Sequence, residues 1–125
     1  MILRAIVLAL IASPAMAFTA SNDLVVHPAS PGQFSVPANG QSEPRAFWCA
    51  AGDYVLRGLG QGPQTRIYRT SALPRATGQG MDFSLDASQS AGKTGLLWVR
   101  PDDGGMSAAL AQSFCAGADA PNHRL

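Results

Sequence analysis

The sequence predicts an α+β domain, a small and mostly antiparallel sheet with two helices, cross-linked by one disulfide. Three observations point there. Met81, Phe83 and Leu85 alternate with Asp82, Ser84 and Asp86, the period of a strand buried on one face. Two other segments repeat apolar residues at helical spacing. Each of those segments carries one of the chain's two cysteines, Cys49 and Cys115.

The first seventeen residues set the compartment. Arg4 gives the start one positive charge, Ala5 to Ala12 is an unbroken apolar run, and Ala15-Met16-Ala17 has the small-x-small form that signal peptidase reads. The run is too short to span roughly 30 Å of hydrocarbon as a helix. The expectation is a cleaved signal peptide over 1–17 and a single domain over 18–125, with a flexible tail from about 118. The mature chain would begin at Phe18, be exported to the periplasm or beyond, and have no stable membrane insertion. Eight of the nine basic residues are Arg, and Ala, Gly and Pro abound, which suits a GC-rich bacterial genome.

In an exported chain two cysteines favour a disulfide. Cys49 and Cys115 lie 66 positions apart, and closing such a loop is worth about 4 kcal/mol in the chain-entropy model. A nucleophilic thiol would need a partner histidine. His27 lies in a proline-flanked strand and His123 in the polar tail.

The elements follow in order. Leu24–Val26 ends at Pro28 and Gln33–Val36 ends at Pro37, which predicts two short strands at a sheet edge. Ser42 is placed as an N-cap, Pro44 in the first turn and Gly58 at the end of a helix. Phe47, Ala50, Ala51, Tyr54 and Val55 line one face of that helix, with Cys49, Gly52 and Leu56 opposite. A helix apolar on two sides is expected to be sandwiched. Asp53 stands four residues before Arg57, the favourable order for an ion pair. Thr65–Ser71 and Met81–Asp86 read as strands, and the continuously apolar Leu96–Val99 reads as a central one, with Trp98 buried. Met106, Ala109, Leu110, Ser113 and Phe114 form a second helical face ending at Gly117, with Asp102 and Asp103 near its positive end.

Charge and motifs exclude more than they assign. Losing Arg4 leaves eight basic against eight acidic residues, so bulk electrostatics gives no case for nucleic acid. Ala87–Thr94 misses the first glycine of a phosphate loop, and its lysine leads towards the apolar run rather than a helix. Gly58–Gly62 follows a helix, the reverse of a dinucleotide turn. Asp82 and Asp86 project from one strand face about 13 Å apart, too far to share an ion. No catalytic, cofactor or metal set is readable.

Two readings of chemistry remain. Arg57, Arg66, Arg69 and Arg75 fall in a stretch without acids, while four aspartates lie between Asp82 and Asp103. The arginines could form an anion-binding patch for a ligand or an acidic envelope protein. Alternatively, they pair with the aspartates of the neighbouring Met81–Asp86 strand. Arg66 and Tyr68 share one strand face, and Arg69 takes the other.

The segment Phe47-Trp48-Cys49-Ala50-Ala51-Gly52-Asp53-Tyr54 resembles one found in small exported alphaproteobacterial proteins of unknown function. The resemblance covers little more than that helix and implies export, with no activity, cofactor or partner. The expected function is a binding or accessory module. The alternative is a cell-envelope hydrolase using a carboxylate such as Asp53, which would have to be buried in a cleft without Arg57 as its partner.

Overall fold

The computed structural model describes residues 16–73, 75–96 and 101–119. Among these residues six antiparallel strands form one sheet: β1 (Phe18–Thr19), β2 (Val25–Pro28), β3 (Gln33–Val36), β4 (Arg66–Arg69), β5 (Met81–Ser84) and β6 (Gly105–Ser107). Their order across the sheet is β1-β2-β3-β5-β4-β6. Two α-helices, α1 (Pro44–Asp53) and α2 (Ala108–Asp119), complete the fold, which is the predicted α+β class.

The sheet is apolar towards the helices and polar on its other face. Phe34, Val36, Ile67, Met81 and Phe83 are buried. The alternation read from Met81 onward holds for Met81, Asp82 and Phe83 but stops at Ser84, which ends the strand and is buried although it was expected on the polar side; β3 pairs Phe34 to Phe83 and Val36 to Met81. Trp48 of α1 meets Phe83 edge-on at 4.9 Å, and Tyr54 lies 4.8 Å from Phe34.

β2 and β3 are not at an edge. Phe18 and Thr19 pair with Val26 and Val25 and cover that side. The prolines are tolerated because Pro28 is the last residue of its strand, where the missing N–H interrupts no ladder. The other edge, β6, contains Met106, which was expected in a helix. Met106 pairs with Ile67 instead, because its side chain completes the sheet's core face. The helix starts after it, with the Ser107 hydroxyl accepting from Leu110 N–H at 3.2 Å as a cap. It runs past Gly117 to Asp119. Leu96 is buried but lies outside any strand, and the rest of the expected Leu96–Val99 strand, Trp98 included, falls outside the described residues.

At the start of α1, Glu43 and not Ser42 is the N-cap. Pro44 has no N–H to give and fits the first helical position, which fixes the boundary one residue later. After Asp53 the helix widens into one π-type turn over Tyr54–Gly58, closed by Leu59 N–H on Tyr54 O at 2.8 Å.

α1 is sandwiched as its two apolar sides required. One side meets the sheet and the other meets α2. A Cβ on Gly52 would stand 2.4 Å from Gln112 N and 2.9 Å from Ala108 O, so the backbones touch where only hydrogen fits. Three residues earlier Cys49 is bonded to Cys115, with Cα atoms 4.8 Å apart. Among the described residues no helix is long and apolar enough to cross a membrane.

Gly52→Ala is expected to cost about 1–3 kcal/mol, since the methyl would collide with backbone that cannot rotate away. Thermal melts of the variant should fall by roughly 5–15 °C for a domain of this size. Parent-like melting would contradict the close approach of the helices. Reducing the Cys49–Cys115 bond should remove about 2–5 kcal/mol, and alkylation of denatured, unreduced protein should find no free thiol.

Candidate functional site

Two buried charges dominate the interior, Asp53 and Arg69, and they are treated in opposite ways. Asp53, only 2% exposed, ends α1 beneath its junction with α2. Arg57, one turn later, donates to it through Nε and Nη2, both at 2.6 Å. Ser21 N–H, from the β1–β2 turn, reaches Oδ2 at 2.9 Å, and Gln112 Nε2, from α2, reaches Oδ1 at 3.1 Å. The Arg57 hydrogen bonds hold the carboxyl below its ordinary value; burial opposes them, and Gln112 and Ser21 add to the lowering. Acid–base work at neutral pH would need the reverse, a raised and accessible carboxyl. Asp53 ties three segments together.

The face of the sheet away from the helices brings together residue types of hydrolytic enzymes. Register places His27 opposite Ser35 and Ser35 opposite Asp82, one row across β2, β3 and β5. The order is wrong for a relay. Ser35 sits between the other two, and His27 and Asp82 are about 10 Å apart by strand spacing, so the carboxylate cannot orient the imidazole.

The four arginines expected as a patch go to four places. Arg57 is on Asp53 and over the Phe18 ring at 5.1 Å. Arg66 pairs with Asp103 at 3.0 Å and lies over Tyr68. Its carboxylate partner therefore comes from the turn before β6 rather than from the Met81–Asp86 strand. Asp103 also accepts from Gly105 N–H, while Asp102 accepts from Thr94 N–H and Gly104 N–H. Both are turn builders, several residues short of the helix they were expected to favour. Arg75 lies over Phe47 at 4.9 Å and donates to the carbonyls of Gln79 and Ser42.

Arg69 is the exception. Strand alternation puts it on the same face as Ile67, pointing into the protein, and its side chain is 0% exposed. Its backbone is clamped from both sides, donating to Gly104 O at 2.8 Å and accepting from Ala91 N–H at 2.7 Å. Of the guanidinium, Nη2 donates to Ala72 O at 3.1 Å. Among the described residues, Nε and Nη1 have no partner. Burial lowers the pKa of this group, as does the nearby Arg75, while Asp102 and Asp82 pull it back up; an arginine stays charged throughout.

A cavity of about 460 Å³ opens beside it, lined by Arg69, Thr70, Ala72, Leu73, Ala91 and Lys93. Lys93 is exposed at the mouth, and Leu73 is 45% exposed at the rim. Lys93 stands at the entrance and the wall is partly apolar, while the Arg69 guanidinium lies behind that wall, closed off from the cavity by its own burial. Sequence reasoning named Arg69 but grouped it with the wrong residues. The usable signal was the alternation itself, since a buried Ile67 implies a buried Arg69. Nothing in the sequence joined Lys93 to it.

Because folding lowers the Asp53 value, its contribution is complete above the unfolded aspartate range and fades as pH falls through the lower folded value. Asp53→Asn should cost about 1–3 kcal/mol at neutral pH. The melting temperatures of variant and parent should begin to approach each other below roughly pH 4 and draw together as the pH falls through the lower folded value. A gap independent of pH would show that the charge is immaterial.

No protein-family model, curated protein or solved structure matches the chain.

Proposed function

We propose that this chain is an exported binding module that takes up an anion in the Arg69 cavity. The observation that carries the reading is the buried guanidinium whose Nε and Nη1 find no partner among the described residues, beside an open cavity. An unpaired buried charge costs several kcal/mol, and a fold that only needed to be stable would place an apolar side chain there. Lys93 at the mouth adds attraction for the same sign of ligand. Export is supported by the apolar start with its cleavage pattern and by a disulfide of the kind that persists in oxidising compartments. The hydrolase alternative has less support, because Asp53 is ionised and occupied.

The test uses protein exported from the full chain, whose intact mass should give Phe18 as the first residue. Acetate, sulfate and inorganic phosphate are titrated at constant ionic strength, and binding to the native state raises the melting temperature. At least one should give a saturable rise. Arg69→Met keeps the side-chain length, removes the unpaired charge and should melt at or above the parent, by up to about 4 kcal/mol. It should show no anion response. A response that survives in Arg69→Met, or its absence from the parent, would overturn the proposal.

A further inference from the structure

The walls around Arg69 say which anion would fit, an inference that rests on the anion-binding reading. We infer that the ligand is an organic monocarboxylate with a short aliphatic chain. Its carboxylate would take Arg69, and its chain would lie along Ala72, Leu73 and Ala91.

Three features favour this class over an inorganic oxyanion. The cavity, about 460 Å³, is several times larger than a phosphate or sulfate ion would need, so a ligand that fills it carries more than its charged group. Three of the six lining residues, Ala72, Leu73 and Ala91, are apolar. An exposed leucine at the rim of a charged cavity gives a chain something to cover. Lastly, arginine offers its N–H groups in one plane, the geometry that a carboxylate meets with two parallel hydrogen bonds.

The entry step follows from the one bond Arg69 makes. Nη2 is held by the carbonyl of Ala72, in the short segment that forms the cavity wall. An incoming carboxylate oxygen can take the place of that carbonyl, freeing Ala72 to turn outward while a second oxygen reaches Nε or Nη1. Binding is an exchange of acceptors, and no covalent bond forms or breaks.

Calorimetric titration of the exported protein with acetate, pentanoate, pentanamide, N-acetyl-alanyl-leucine and inorganic phosphate tests the inference. Pentanoate should bind at least tenfold more tightly than acetate, because its added methylenes leave water, and pentanamide should not bind. Leu73→Gln, at an exposed position that folding does not require, should weaken pentanoate about fivefold or more and leave acetate unchanged. Lys93→Gln should weaken all the anions together. If the dipeptide binds as tightly as pentanoate, the source is a peptide C-terminus; if only pentanoate binds, it is a free small acid. Phosphate binding as well as pentanoate, with both lost in Arg69→Met, would overturn the carboxylate inference and leave the anion reading standing. Equal affinity for acetate and pentanoate would likewise overturn the aliphatic chain. No binding by any anion would overturn both readings.

Discussion

The close contact of α1 with α2 is the constraint on which the rest of the structure depends. α1 has no solvent-facing stripe from Ala46 to Asp53, so it can exist in water only with a layer on each side. The sheet supplies one layer through Phe34 and Phe83, and α2 supplies the other. Gly52 lets the second layer approach to backbone contact, and the Cys49–Cys115 bond fixes the approach covalently. Asp53, next along the same face, then reaches both α2 and the β1–β2 turn. A small domain with a limited core gains from locating its cross-link, its tightest packing and its best-satisfied buried charge within five residues of one another.

Asp53 and Arg69 show how differently one interior can treat a charge. The carboxylate receives four donors from three segments and rigidifies the structure. The guanidinium is equally hidden, but among the described residues most of its donors find no acceptor. Hydrogen-bonding capacity that is buried and unspent is a stability loss in the absence of a partner. The contrast is internal to one molecule, which makes the Arg69 arrangement difficult to attribute to a general tolerance for poorly satisfied polar groups.

Much of the fold was legible in local patterns. The period-two run from Met81, the helical spacing around Cys49 and the Asp53–Arg57 interval each describe contacts within one element; the last two are seen, and the first holds as far as Phe83. Failures arose where a long-range partner decides the state. Met106 satisfies a helical pattern with the residues after it, yet pairing with Ile67 draws it into β6. Phe18 and Thr19 are too few to register as a strand until β2 lies beside them. Trp48 was absent from the predicted apolar face, although it is fully buried and donates Nε1–H to Thr94 O at 3.0 Å; a polar tip on a large ring conceals its burial from periodicity alone. The candidate site was legible by halves. Arg69 stood out, but its neighbours come from loops that converge only in three dimensions.

The wiring of the sheet has a consequence for the order of assembly. β3 hydrogen-bonds to β5, whose first residue lies 45 positions after Val36 in the chain, and the edge strand β6 comes later still. A polypeptide that emerges from a ribosome or a translocation channel with its N-terminus leading therefore cannot complete its central ladder early. α1 would wait, apolar on both faces, until α2 arrived, and Cys49 would wait as a thiol for sixty-six further residues. Nonlocal closure of this kind slows folding. It also favours passage through a narrow channel, because a chain that cannot collapse halfway remains threadable until it is almost through.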